Sequence, residues 1–135
     1  MDNKRAAIIV IVVILVLSIF SYAFISMNTS KTIVTVEAGN GTVKNGDYIT
    51  VMLKDDYRNV IEGQNVDLKI LDDSGWAHKY VITTDELGRG YIQLQGFDNG
   101  NYTAHATFNG TMFLTDSKAS TPFTIYDGYW NNGDE

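Results

Sequence analysis

The sequence predicts an all-β domain of seven strands that follows one transmembrane α-helix. Residues 6–27 form an uncharged, mostly apolar run, whereas residues 32–126 consist of short segments of alternating polarity separated by turns rich in Gly, Asn and Asp. No helical periodicity follows residue 27, so the domain belongs to the all-β class. The predicted parts are a cytoplasmic leader (1–5), a transmembrane helix (6–27), a juxtamembrane linker (28–31), the β domain (32–126) and a polar, aromatic tail (127–135).

The apolar run is long enough to cross a membrane. Its 22 residues, taken as a helix with a rise of about 1.5 Å per residue, span about 33 Å, which exceeds a hydrocarbon core of about 30 Å. Lys4 and Arg5 precede it and predict a cytoplasmic N-terminus. The favoured location is therefore the cell membrane, crossed once, with lipid as the partner of residues 6–27 and the C-terminal domain outside the cell.

Two other fates of this segment remain open. A secretory signal would be cleaved near Ser21-Tyr22-Ala23, although the apolar core of a signal normally runs only about 7–15 residues. Lys4-Arg5 followed by Ala6-Ala7 resembles the class III leader of archaeal type IV pilins and archaellins. That resemblance implies cleavage after Arg5 and self-assembly into a filament. All three alternatives place residues 32–135 outside the cytoplasm.

Composition excludes several classes of site. The 135 residues carry a formal net charge of −6 and no cysteine. Disulfides, thiolate metal sites and cysteine nucleophiles are therefore excluded. An acidic chain repels phosphate backbones, so nucleic acid is not an expected partner.

The predicted strands follow from alternation along the chain. Ile49, Val51 and Leu53 alternate with polar or solvent-facing residues, as expected for a strand with one buried face. Asn109-Gly110 is the strongest signal for a tight hairpin. Pro122 cannot donate to a ladder and predicts a strand start or a sheet edge. The seven predicted strands cover 32–37, 48–54, 66–70, 77–84, 91–95, 101–108 and an interrupted segment from 111 to 125.

One local motif specifies the kind of β domain. Asp98, Gly100 and Tyr102 enter the sixth predicted strand in the arrangement of a tyrosine corner, with Ala104 two residues after the tyrosine. A tyrosine corner of this kind is typical of immunoglobulin-like β-sandwiches. Seven short strands at regular spacing agree with that fold, so we expect an immunoglobulin-like β-sandwich.

Four segments of the β domain carry a family resemblance: 60–66, 84–90, 100–102 and 106–110. They resemble the immunoglobulin-like repeats of archaeal and bacterial surface proteins of the invasin and adhesin-like type. This resemblance implies a non-catalytic module that serves adhesion or envelope assembly, with a surface protein or a glycan as its partner. Because this chain has a single module beside its membrane segment, it departs from the long arrays of repeats that give such adhesins their reach.

No constellation of catalytic or metal-binding residues is predicted. His78 and His105 lack ligand spacing, and His105 lies on the outward face of its strand. The acidic turns at 55–56 and 72–75 lack the every-other-residue spacing of a dedicated calcium loop and predict at most a weak site. We expect no enzyme activity and no cofactor.

Two further features bear on the surface. The tail from Tyr126 to Glu135 carries three aromatic residues, which would serve as interface anchors or fold back over the domain. N-glycosylation would require export in an archaeal or eukaryotic cell. Four Asn-X-Ser/Thr sequons occur, at Asn28, Asn40, Asn101 and Asn109.

Overall fold

A computed structural model describes residues 3–127, apart from the side chains of residues 25–28. Within residues 3–127 the chain forms one long helix followed only by strands and their connecting loops. In chain order they are α1 (Asn3–Asn28), β1 (Thr32–Glu37), β2 (Thr42–Val43), β3 (Tyr48–Asp55), β4 (Asn65–Asp72), β5 (Ala77–Thr83), β6 (Arg89–Gln93), β7 (Gly100–Phe108) and β8 (Ser117–Ile125).

Helix α1 is apolar on all sides and exposed on all sides. Its described apolar side chains from Ile8 to Phe24 lie on the surface, including Phe20 at 70% exposure. It is the one helix among the described residues that is long and apolar enough to cross a membrane, a property that a signal sequence shares. The Ser18 hydroxyl donates to the Ile14 carbonyl at 2.9 Å, which satisfies this polar group within the helix.

The strands form two sheets, with eight strands rather than the seven predicted. One sheet has the order β1-β3-β6 and the other has the order β2-β8-β7-β4-β5. The additional strand, β2, pairs in parallel with Thr124 and Ile125 of β8. After β1, Gly39 and Gly41 adopt positive φ angles, and the chain crosses to the other sheet. A strand of two residues has no alternation to detect, which is why the sequence pattern missed it.

The segment after β7 also differs from the prediction. The last strand begins at Ser117 instead of Thr111, and Asn109-Gly110 opens an eight-residue loop (109–116) instead of a two-residue turn. Within this loop Thr111 N donates to Leu114 O at 2.8 Å, which closes a separate turn. Pro122 does not interrupt β8: it pairs with Thr103 of β7, while β2 reaches only Thr124 and Ile125 on the other side.

One cluster of buried apolar side chains receives residues from both sheets. Each fully buried Val, Leu or Ile stabilises the fold by about 1.5–3 kcal/mol relative to leaving it in water. Without disulfides, this packing is the main source of stability. The largest fully buried side chains are Ile49, Val51, Leu53, Val66, Leu68, Ile70, Leu94 and Ile125.

The strand pairing gives the β domain two distinct ends. β1 begins at the end where α1 enters, and residues 55–65, 84–88 and 109–116 connect strands there; we call it the near end. The far end contains residues 38–47, 73–76, 94–99 and 126–127. One candidate site lies at the near end, and a second lies on the outer face of the five-stranded sheet.

Candidate functional sites

The predicted linker is bonded into the near end on two sides. Ser30 N donates to Phe113 O at 2.8 Å, and Thr115 N donates to Ser30 O at 3.0 Å. On the other side, Asp56 N donates to Lys31 O at 3.1 Å. We call these contacts the linker clamp. They hold the backbone between the helix and the β domain in place.

A buried threonine extends the linker clamp into the first strand. Thr32 is only 7% exposed, and both its N–H and its hydroxyl form hydrogen bonds. Its N–H donates to Thr115 Oγ1 at 3.0 Å, and its hydroxyl donates to Thr115 O at 2.7 Å and lies 2.9 Å from Ser117 Oγ. Buried polar groups with full hydrogen bonding specify one arrangement, which here is the docking of residues 30–32 on the loop.

The tip of the same loop carries exposed apolar side chains beside the helix. Met112 is 64% exposed and Phe113 is 40% exposed. The Phe113 ring meets the Phe24 ring edge-on, with 6.1 Å between the centroids. Phe20, Ser21 and Phe24 of α1 line one shallow depression together with Met112 and Phe113. The loop therefore continues the apolar surface of the helix.

A second candidate site lies on the outer face of the five-stranded sheet. Lys69 of β4 is paired across the ladder with Lys79 of β5 on one side and with His105 of β7 on the other. Directly opposed side chains in antiparallel strands have Cβ atoms about 4.5–5.5 Å apart, and like charges at this distance are destabilising. Such a row in a chain with a net charge of −6 is unexpected on stability grounds alone.

The row lies in a groove of about 650 Å³ that we call the basic groove. Lys118 of β8 adds a third lysine, and Asp67 lies beside the row. His105 Nδ1 is 2.7 Å from Ser120 Oγ, so one face of this imidazole is held by a hydroxyl. Three lysines make the groove suitable for an anion. Its lining residues are Asp67, Leu68, Lys69, Lys79, Tyr80, Val81, His105, Thr107 and Lys118.

The two histidines do not converge. His78 packs on the Phe97 ring at 4.6 Å toward the far end, while His105 lies in the basic groove. Among residues 3–127, no three side chains of the metal-ligating types come together.

The acidic turns use their carboxylates to close the backbone. Asp72 Oδ1 accepts from Ser74 N and Ser74 Oγ at 2.9 and 2.7 Å and from Trp76 N at 2.9 Å. The Ser74 hydroxyl is the largest influence on the pKa of Asp72, and these hydrogen bonds lower that pKa. A carboxylate that accepts these hydrogen bonds closes the turn at residues 72–76.

Asp55 and Asp85 close turns with the same geometry. Asp55 Oδ1 accepts from the N–H groups of Tyr57 and Asn59 at 2.9 and 2.8 Å. Desolvation would raise the pKa of Asp55, but hydrogen bonds from Asn59 and Tyr57 outweigh it and the pKa is lowered. Asp85 accepts from Leu87 N and Arg89 N at 2.8 and 3.0 Å. In all three turns the third residue after the aspartate has a positive φ: Arg58, Gly75 and Gly88.

The predicted glycosylation sites differ in what their amides contact. Asn109 Nδ2 donates to Asp67 Oδ2 at 2.8 Å, and Asn101 Oδ1 accepts from the Thr124 hydroxyl at 3.0 Å within paired strands. Asn40 is exposed in a turn, where its Oδ1 accepts from Thr42 N at 3.2 Å. The Asn28 side chain lies outside the described part. Asn40, Asn101 and Asn109 are all exposed.

The predicted tyrosine-corner residues close a turn at the far end. The Tyr102 hydroxyl donates to the Asp98 carbonyl at 2.7 Å, four residues upstream. The Tyr102 ring is 7% exposed and stacks on Phe123 with 5.6 Å between centroids. Burial, with a contribution from nearby Asp98, raises the pKa of Tyr102, so its hydroxyl stays protonated and can donate.

Sequence reasoning missed both the basic groove and the apolar loop tip as sites. Alternation alone places Lys69, Lys79 and His105 on outward faces, but only the register of three strands makes them neighbours. The signal for the tip was Met112-Phe113, two adjacent apolar residues directly after the predicted Asn109-Gly110 turn.

Comparisons with known proteins define no family for this chain. No protein-family model matches it, and no curated protein matches it. A tetra-tandem repeat from the extending region of a large adhesion protein is 14% identical with a TM-score of 0.46, covering 70% of this chain and 24% of that one.

Two further solved structures are more distant. The PKD domain of the human receptor SorCS2 is 10% identical with a TM-score of 0.37, covering 75% of this chain and 77% of that one. A conjugative transposon lipoprotein from Bacteroides eggerthii is 14% identical with a TM-score of 0.32, covering 68% and 95%. All three TM-scores lie below 0.5.

Proposed function

We propose that this chain is a non-catalytic, membrane-anchored surface module with an immunoglobulin-like β-sandwich outside the cell. The observation that carries the proposal is the linker clamp, which joins an exposed, wholly apolar helix to an all-β domain through paired backbone groups. An apolar helix exposed on every side is unfavourable in water and favourable in a bilayer.

The strand order supports an immunoglobulin-like arrangement. We treat β1 and β2 as two parts of one strand that changes sheets. The sheet β1-β3-β6 then corresponds to strands A, B and E, and β4-β7-β8 correspond to C, F and G. β5 pairs with β4, so the fourth strand lies on the C side instead of beside E. A core shared by both sheets supports their packing as a sandwich.

The orientation follows from charge. Lys4 and Arg5 precede the apolar run, so residues 1–5 remain in the cytoplasm and residues 32–127 lie outside. Protease added to intact cells would then remove the domain and leave a protected fragment that contains Lys4 and Arg5. Full protection of the domain in intact cells, with cleavage after lysis, would refute this topology.

The basic groove is the surface we assign to adhesion. Its lysines favour a polyanion, such as an acidic polysaccharide of a cell envelope, over a neutral glycan. Lys69→Gln with Lys79→Gln should weaken binding of the chain to an acidic polysaccharide such as polygalacturonate at least tenfold. The matched control is Lys44→Gln with Lys54→Gln, which removes the same charge outside the groove. Equal effects of the two pairs would refute a localised site.

A second candidate function is a filament subunit. The observation that favours it is that the linker clamp places the domain directly on an apolar helix, as a polymerising subunit requires. The mass of the mature protein separates the alternatives. A start at Met1 supports the anchor, a start at Ala6 supports the filament subunit, and a start near Phe24 supports a secreted domain.

A further inference from the structure

We propose that residues 109–116 form a second membrane contact, in which Met112 and Phe113 enter the outer lipid interface beside the helix. The occupant of this surface is the bilayer itself. The proposal rests on the anchor proposed above and goes beyond it, because it assigns lipid contact to the β domain and not only to α1.

The first argument is depth. The apolar run continues to Met27, so Phe24 lies about one turn inside its outer end and Phe20 lies about 6 Å deeper. Phe113 contacts Phe24 edge-on, and Met112 and Phe113 share a depression with Phe20 and Ser21. If residues 6–27 span the bilayer, Phe24 lies close to the boundary between acyl chains and headgroups, and Phe20 lies within the acyl region.

The second argument is that the tip is built to hold this position. Thr111 N donates to Leu114 O at 2.8 Å, and Phe113 N donates to Thr111 Oγ1 at 3.2 Å. A Cβ at Gly110 would lie 2.8 Å from Leu114 O, so the loop folds tightly on itself. Phe113 O in turn accepts from Ser30 N. The exposure of Met112 and Phe113 is therefore imposed by a closed loop with defined hydrogen bonds.

The third argument is composition. Residues 110–115 contain no charged side chain, and Asp116 at the base of the loop carries the first charge. Charges are costly in the acyl region, whereas apolar side chains such as Phe are stabilised when they are buried at the boundary between headgroups and acyl chains. Tyr57 and Leu87 are 80% and 55% exposed on other near-end turns. These turns also carry the exposed charged residues Asp56, Arg58, Asp85 and Glu86, so the uncharged apolar surface of the near end is concentrated in residues 110–115.

Quenching of tryptophan by brominated acyl chains tests the contact. The full chain with Trp130→Phe retains Trp76, which lies at the far end and serves as an internal reference. Phe113→Trp in that background should lose a large part of its added emission in vesicles of brominated phosphatidylcholine relative to unbrominated vesicles. The parent, with Trp76 alone, should emit equally in both. Met112→Trp repeats the measurement in case Phe113→Trp folds poorly.

A helix position separates this proposal from the anchor. Phe20→Trp in the same background should be quenched whenever α1 lies in the bilayer. Quenched Phe20→Trp with unquenched Phe113→Trp and Met112→Trp overturns the loop contact and leaves the anchor standing. Failure of all three to be quenched overturns the anchor itself. If Phe113→Trp and Met112→Trp are both unquenched and the loop cross-links to a second copy of the chain, the surface serves self-assembly and the lipid contact is overturned.

Discussion

The loops at the two ends of the β domain differ in their side-chain contacts. At the far end, Asn45 Nδ2 donates to Phe97 O at 2.7 Å and to Asp127 Oδ2 at 3.1 Å, while Phe97 N donates to Asn45 Oδ1 at 3.0 Å. At the near end, Met112 and Phe113 are exposed beside the helix. Polar side chains join the loops of one end, and the other end leaves apolar groups uncovered. If the loop contact proposed above holds, water surrounds the far end and lipid contacts the apolar tip of the near end.

The largest expected effect comes from a comparison of two glycines, one at each end, that occupy the same position in an aspartate turn. At Gly88, a Cβ would lie 2.8 Å from Leu53 O and 2.9 Å from Val60 Cβ, at φ +73°. Gly88→Ala should lower the free energy of unfolding by about 3 kcal/mol, since a left-handed residue and overpacking each cost about 1–3 kcal/mol. Urea unfolding of the full chain in detergent measures this.

The matched control is Gly75→Ala in the far-end turn. Gly75 has φ +87°, and no atom lies within 4 Å of the position that a Cβ would occupy, so only the backbone cost of about 1 kcal/mol remains. Equal losses for the two variants would show that the near-end turn is less tightly packed than its geometry indicates.

Asn45→Ala should break the polar closure of the far end. The substitution leaves the Phe97 carbonyl and N–H without these partners, at a cost of about 2 kcal/mol. The near end should be unaffected, so hydrogen exchange should rise around residues 94–99 and remain unchanged around residues 30–32. Increased exchange in both segments would contradict the independence of the two ends.

Tyr102→Phe should have a smaller effect at the same end. It removes the hydrogen bond from the hydroxyl to Asp98 O and keeps the ring on Phe123, so the expected loss is about 1 kcal/mol. Thermal unfolding measures the change. Tyr48→Phe is a suitable control because Tyr48 is 54% exposed and should tolerate the loss of its hydroxyl. If Tyr102→Phe loses no more stability than Tyr48→Phe, the hydroxyl of the tyrosine corner does not stabilise the fold.

Acid should weaken both ends through their aspartate turns, with the smallest effect of the series. Folding lowers the pKa values of Asp55 and Asp72, so their contribution is present above the ordinary aspartate pKa of 3.8 and is lost as the pH falls through the lowered values. Asp72→Asn should reduce the loss of stability between about pH 5 and about pH 2, measured by thermal unfolding. An unchanged pH dependence in this variant would exclude the Asp72 turn as a contributor.

The sequence could predict what depends on local periodicity. Alternation at Ile49, Val51 and Leu53 identified a strand whose inner residues are fully buried. Alternation could not predict β2, because two residues contain no period. It also could not predict the eight-residue loop that begins at Asn109, because the hydrogen bond from Thr111 N to Leu114 O that closes the second turn is visible only in the folded structure. The basic groove escaped prediction for a related reason, because its lysines become neighbours only through strand register.

The linker clamp also limits how far the proposed adhesive surface can extend from the cell. The longest strands have nine residues and rise about 3.3 Å per residue, so the domain stands only about 30 Å high. With residues 30–32 bonded to the near end, no flexible tether adds to that height. If the proposed anchor and the proposed polyanion site both hold, the polymer binds within about 30 Å of the cell's own membrane, and tilting of α1 would change the angle at which it is presented.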